Sequence, residues 1–131
     1  MVLGGEHERT FIAANNCADS CTNLKLFKEA KSLMRKMIPV ARRVLGESYD
    51  LTLRMRWNYA EALYMDPDAT LDDLHEAVTT LEEIERTARR VLGGANPVTR
   101  GIEGDLRDAR AALRARETLA EAMAAATLGD A

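Results

Sequence analysis

The chain has 131 residues, of which 47% are hydrophobic, 30% charged and 5% aromatic, and its net charge is −3. This length allows one domain with a small core, and no apolar run reaches the roughly 18 residues that a transmembrane helix needs. The acidic balance argues against general nucleic-acid binding, for which a basic face is expected.

Apolar residues recur at steps of three and four along most of the chain, which is the pattern of helices with one buried face. Strand-like alternation is absent, so the sequence predicts an all-α protein. In chain order, helices are predicted over residues 7–22, 24–45, 49–65, 70–92 and 97–127, the last either continuous or broken. Their short connections make consecutive helices antiparallel neighbours.

Residues at the predicted helix ends support these bounds. Gly93 suits a helix C terminus, where glycine takes the left-handed conformation at little cost. Thr70 followed by Asp73 resembles a capping box with Asp in place of Glu. Pro39 falls inside the second predicted helix and removes one backbone hydrogen bond there, so a kink is expected near Met37.

Charge is divided unevenly along the chain. Residues 1–45 carry eight Lys and Arg against four Asp and Glu, whereas eight carboxylates lie between Asp66 and Glu85 without a Lys or Arg among them. Two interpretations remain open. Either the charged stretches are solvated helix faces, or their opposite charges attract neighbouring copies of the chain or steer a charged partner.

The two cysteines, Cys17 and Cys21, lie one helical turn apart. A disulfide between them would need unusual geometry, and with His7 and His75 as the only histidines a zinc site would lack ligands. We therefore expect both cysteines to be small buried residues in a protein of the reducing cytoplasm, with no metal and no cofactor.

The tripeptide Val-Leu-Gly occurs three times, at residues 2–4, 44–46 and 91–93, with intervals of 42 and 47 residues. Periods of this size are typical of helical repeat arrays. Once five extra residues near Asp66 are treated as an insertion, alignment on the tripeptide also pairs Thr10 with Thr52, Asn16 with Asn58, Ala18 with Ala60 and Ala30 with Ala77.

These features resemble the tetratricopeptide repeat family, in particular the 42-residue repeats of kinesin light chain. The first repeat supplies Leu3-Gly4, Thr10 and Asn15-Asn16-Cys17-Ala18, and the second supplies Leu45-Gly46, Thr52 and Trp57-Asn58-Tyr59-Ala60. The third keeps Leu92-Gly93, Asn96-Pro97 and Thr99, but Gly104-Asp105-Leu106-Arg107 departs from the pattern.

The resemblance implies a right-handed α-α superhelix of antiparallel helical hairpins with a C-terminal capping helix. It implies one helical-repeat domain over residues 1–131. Repeat one covers residues 2–43, repeat two covers 44–90, and a degenerate third repeat with the capping helix covers 91–131.

In this family the first helix of each hairpin lines a concave groove that receives a peptide or a helix. Carried over by position, the implied peptide-binding residues are Asn15, Asn16, Asp19, Arg54, Trp57, Asn58, Glu61 and Tyr64, with Ile12, Asp105 and Asp108 on the same surface. Asparagine amides can donate to and accept from a partner's backbone, and tryptophan is a frequent interface hot spot. Alternatively, Asn16 and Asn58 bond a neighbouring helix and Trp57 is packed between hairpins.

The sequence contains no phosphate-binding glycine loop, no Gly-x-Ser-x-Gly and no His-Glu-x-x-His, so no catalysis is expected. We expect a cytoplasmic scaffold or adaptor that binds a protein or peptide partner and neither nucleic acid nor membrane. The alternative is a self-associating structural subunit, or a fragment of a longer repeat protein. Its uncapped repeat ends would then expose Phe11 and Ile12 and mediate homo-oligomer formation.

Overall fold

The structure of the chain is a computed structural model that describes residues 3–129, with side chains from His7 onward. These residues form five helices and no strand, which confirms the all-α prediction. The helices are α1 (Leu3–Asn23), α2 (Phe27–Val44), α3 (Asp50–Tyr64), α4 (Leu71–Leu92) and α5 (Pro97–Gly129). Residue 2, where repeat one is predicted to begin, and residues 130–131 lie outside the described part of the chain.

The helices pack in two layers. Helices α1, α3 and α5 contact one another in that order, while α2 packs against α1 and α3, and α4 packs against α3 and α5. Within the described residues, α2 and α4 do not approach each other closely. The connections are short, so each helix returns beside the one before it.

Side-chain bonds between the helices give their relative directions. Tyr49, just before α3, donates to Glu8 of α1, and Asn58 further along α3 donates to Asn15 of α1, so these two helices run in the same direction. The predicted antiparallel arrangement of consecutive helices is confirmed between α4 and α5. Arg89 and Glu82 of α4 are bonded in reverse order, to Glu103 and Arg110 of α5 respectively.

Two hydrophobic core clusters meet at α3. The first lies between α1, α2 and α3, together with Ala77 of α4, and includes Phe11, Met34 and Leu63. The second lies between α3, α4 and α5 and includes Leu53 and Ile102. Because α3 contributes to both clusters, eight of its fifteen residues are buried and it is the central helix of the fold. The alanines paired by the repeat alignment have no exposed surface: Ala18, Ala30, Ala60 and Ala77.

The predicted helix ends are formed by the expected residues. The Thr70 hydroxyl accepts from the backbone N–H of Asp73, and the Asp73 carboxylate accepts from the backbone N–H of Thr70, both at 3.1 Å. Gly93 ends α4 with φ of 89°. Helix α2 runs through Pro39 without ending there, and Met34 and Ala41 on either side of the proline are fully buried.

The cysteine prediction is wrong. Cys17 is exposed and Cys21 is only half-buried. Within the part of the chain that the structure describes, helix α1 contacts only α2 and α3, so they cover a single stripe of α1 that includes Phe11, Ala14 and Ala18. Cys17 lies outside that stripe.

The expected apolar edge at Phe11 and Ile12 is only half correct. Phe11 is 1% exposed and belongs to the core, because it lies on the covered stripe of α1, whereas Ile12 is 44% exposed. The larger apolar exposure is on α5, which is one continuous helix of 33 residues. Beyond Arg116, whose guanidinium donates to the carbonyl of Ala69, every described residue of α5 is exposed.

Candidate binding groove

A cavity of about 380 Å³ lies between α1 and α3, and we call it the groove. It is lined by Asn15, Asn16, Asp19, Arg54, Trp57, Asn58 and Glu61. These are seven of the eleven residues that the repeat resemblance placed on this surface. The other four, Ile12, Tyr64, Asp105 and Asp108, do not line the cavity. The four α3 residues face the groove together because they are three and four positions apart in the helix.

Asn58 links the two walls of the groove. Its side-chain Nδ2 donates to Oδ1 of Asn15 at 2.7 Å and to the Asn15 backbone carbonyl at 3.4 Å. The amide nitrogen of Asn58 is therefore hydrogen-bonded to a neighbouring helix, as one of the two alternatives expected. Its amide oxygen has no partner within the described residues. Asn16 is exposed and makes no hydrogen bond in that part of the chain.

Trp57 is packed between α3 and α5 and is half-buried against the second core cluster. A Cβ atom added at Gly101 would lie 2.5 Å from Cη2 of the indole, so the ring lies directly against this glycine. The indole Nε1 donates to Asp105 at 2.5 Å. Trp57 thus contributes both to the packing between the helices and to the lining of the groove.

Asp105 is a hydrogen-bonding centre beside the groove. Its carboxylate accepts from Nε1 of Trp57 and, at 2.8 Å, from the hydroxyl of Tyr64. Burial, and then the bond to Asp105, raises the pKa of Tyr64 far above its ordinary value, so the phenol stays a donor at all physiological pH values. Tyr64 is therefore used inside the protein, and this explains why it does not line the groove.

The repeat alignment explains the position of Asp105, although sequence reasoning did not predict its central role. Asp105 aligns with Asn58, and Trp57 aligns with Asn15. The bonded pairs are also equivalent: Asn58 of the second repeat is hydrogen-bonded to Asn15 of the first, and Asp105 of the third repeat is hydrogen-bonded to Trp57 of the second. The sequence does contain a signal for this role. Asp105 aligns with Asn58, and the only tryptophan of the chain, Trp57, aligns with Asn15, the hydrogen-bond partner of Asn58.

Glu61 is half-buried on the floor of the groove and shares a hydrogen bond with Asp105. Burial, that hydrogen bond and the negative charges of Asp105 and Asp19 raise the pKa of Glu61 to about 8. At neutral pH its carboxyl therefore keeps a proton. The charged residues at the groove are then Asp19, Asp105 and the cation Arg54, which is already paired with Asp50 at 2.8 Å. The groove is polar and carries a negative field.

No three carboxylate, histidine or cysteine side chains among the described residues converge closely enough to hold a metal ion. None of the helices in that part is long and apolar enough to cross a membrane.

Comparison with known proteins found no matching protein-family model, no matching curated protein and no matching solved structure. The tetratricopeptide resemblance therefore stays a prediction that rests on the repeated residues of this chain.

Proposed function

We propose that this chain is a tetratricopeptide-like superhelix that binds a short segment of a partner protein in the groove. It acts as a scaffold or adaptor without catalysis, in the cytoplasm. The observation that carries the proposal is that seven of the eleven residues selected by the repeat resemblance line one cavity. The alternation of helices between two layers supports the same reading.

The chemistry of the groove favours a bound segment with a Lys or Arg side chain. Asp19 and the Glu61–Asp105 pair supply negative charge, and Arg54 is neutralised by Asp50. Asn16 has a free amide that can donate to and accept from an extended backbone. A cavity of about 380 Å³ is near the lower end of the range for ligand sites, so it accommodates a short motif.

The proposal is tested by selecting binders from a library of short random peptides displayed against the immobilised protein. Asn16→Ala with Asp19→Ala removes two exposed side chains of the groove. We expect the selected peptides to share a basic residue. They should bind this double variant roughly tenfold or more weakly, because one or two charge-assisted hydrogen bonds are lost.

The matched control is Asn23→Ala with Glu117→Ala, which removes one amide and one carboxylate at exposed positions outside the groove. The selected peptides should bind it as they bind the unmodified chain. Failure to enrich any peptide, or equal binding to the groove variant and the control, would contradict the proposal.

A second candidate is self-association through α5, and one observation favours it. Leu119, Met123 and Leu128 are 53%, 62% and 78% exposed, and the first two lie one turn apart on the same side of the helix. Such a stripe is covered when two copies pair. Light scattering over a wide concentration range tests this. Dimers that Leu119→Glu with Met123→Glu converts to monomers would support it, and a monomer throughout would remove it.

A further inference from the structure

A second cavity, of about 540 Å³, lies on the other side of α3 from the groove. We call it the arginine cleft, and it is lined by Arg42, Glu47, Arg56, Glu83, Arg86, Thr87 and Arg90. Arg54 of the groove and Arg56 of the cleft are two residues apart in α3, about 200° around the helix axis, so they point to opposite sides. The gap between α2 and α4 leaves room for the cleft.

The cleft has an excess of positive charge. Four guanidinium groups face two carboxylates, and two of the four are used in ion pairs, Arg42 with Glu47 and Arg56 with Glu83. The Arg56 side chain is only 11% exposed, so its direction is fixed by packing.

Arg86 and Arg90, in contrast, have no hydrogen-bond or ion-pair partner within the described residues. Two positive charges are therefore left without a counterion from the described residues.

The two unpaired arginines repel each other in the folded protein. Arg86 and Arg90 are four residues apart in α4, so their side chains lie on the same face within one turn, where like charges destabilise a helix. The field of the cleft also acts on Glu47, whose pKa is lowered by its hydrogen bond from Arg42 and then by the nearby charges of Arg42 and Arg56.

Phosphate is the anion that best matches this arrangement. Guanidinium groups bind phosphate oxygens in pairs of parallel hydrogen bonds, which gives strength and direction together. A phosphate monoester carries about −1.5 to −2 at neutral pH, which balances two unpaired arginines, whereas a single carboxylate balances only one.

A neighbouring cavity of about 220 Å³ shares Arg42 and Arg56, and its only carboxylate is Glu76, which accepts from the hydroxyl of Tyr59.

We propose that the arginine cleft is a binding site for a phosphate group, held chiefly by Arg86 and Arg90 and completed by Arg42 and Arg56. The group comes either from a phosphorylated side chain of a partner or from a free phosphate compound. This site lies on the opposite side of α3 from the groove and does not depend on the groove binding a peptide.

Isothermal titration at about 0.15 M ionic strength, where the Debye length is about 8 Å, tests the proposal with three probes: inorganic phosphate, pyrophosphate, and a short phosphoserine peptide beside its unphosphorylated form. The double variant Arg86→Gln with Arg90→Gln should bind the tightest-binding probe roughly tenfold or more weakly, because one or two charge-assisted hydrogen bonds are lost. The control is Arg100→Gln with Arg107→Gln, which removes two exposed arginines of α5 and the same charge. It should change binding less than about twofold, as expected for screened distant charges.

A gain-of-binding variant keeps the test independent of folding. Glu47→Gln frees Arg42 from its internal carboxylate and should tighten phosphate binding about threefold.

Tighter binding of the phosphoserine peptide than of both inorganic probes would assign the phosphate to a modified partner, and the reverse order would assign it to a free compound. Absence of binding with all probes, or equal weakening in the two double variants, would overturn the proposal.

Discussion

Replacing Glu61 with glutamine should remove most of the dependence of stability on pH between about pH 4.5 and 8. The Glu61 carboxyl has a pKa of about 8 in the folded protein, against 4.5 for an ordinary glutamate. It therefore binds its proton more tightly in the folded state. That contribution to stability is fully present below pH 4.5 and is lost as the pH rises to 8. Glutamine is neutral throughout and keeps a donor for Asp105.

The size of the effect follows from the two pKa values. Each pH unit between 4.5 and about 8 changes the free energy of unfolding by about 1.4 kcal/mol, which sets an upper limit of about 5 kcal/mol. Because Glu61 is only half-buried and water screens its charge, we expect a loss of about 2 kcal/mol in the unmodified protein. The other shifted groups titrate outside this window, since the pKa values of Cys21, Tyr59 and Tyr64 are raised and those of Glu47 and Asp66 are lowered.

Urea unfolding at constant ionic strength, repeated at a series of pH values from 5 to 8.5, measures this directly. Glu61→Gln should have an almost flat profile, and Glu117→Gln, an exposed control on α5, should fall with pH like the unmodified protein. A profile of the unmodified protein that is flat or rises with pH would refute the reasoning. So would a Glu61→Gln variant that loses as much stability as the parent.

Three further predictions concern packing and stability. Gly101→Ala places a methyl group 2.5 Å from the Trp57 ring, so urea unfolding should show a loss of about 1–3 kcal/mol with a shift of the tryptophan emission. Lys31→Ala leaves the buried Asp66 carboxylate without its 3.1 Å partner and should cost about 2 kcal/mol in thermal unfolding, while an alanine at an exposed lysine should cost almost nothing. Thr70→Ala removes the capping box of α4 and should cost about 1 kcal/mol in the same urea assay.

Helix positions were predictable where the signal is local. The Thr70 capping box and the positive φ of Gly93 mark the limits of α4, and both are expected from the residue types alone. The start of α2 was predicted at residue 24 but lies at Phe27, because Lys25 takes φ of 63° and turns the chain there. A lysine in that conformation gives no signal in the sequence, where glycine or asparagine is expected.

The charge pattern could not be interpreted without the fold. The acidic stretch from Asp66 to Glu85 suggested attraction between copies as one alternative. In the structure Glu82, Glu83 and Glu85 are paired with arginines of α5, α3 and α4 in the same chain. The pairing partners are up to 28 residues distant, which no local pattern predicts.

The groove was predictable and the arginine cleft was not, for a physical reason. Equivalent positions of successive repeats lie on the same side of a helical array, and seven of the residues that the repeat resemblance selected line one cavity. The cleft arginines come from α2, α3 and α4 at unequal spacings, and only packing brings them together. The burial of Cys17 was predicted wrongly because burial along α1 depends on which helices cover it, and that is a tertiary property.

The central claim is that the groove receives a peptide, and NMR mapping of a library-selected peptide on the labelled protein tests it most directly. The chain has one tryptophan, so the Trp57 indole N–H gives a single resonance at the groove. We predict that this signal and the amides of Asn16, Asp19 and Asn58 shift most as peptide is added. Shifts confined to the arginine cleft or to α5 beyond Arg116, with these groove signals unchanged, would contradict the account.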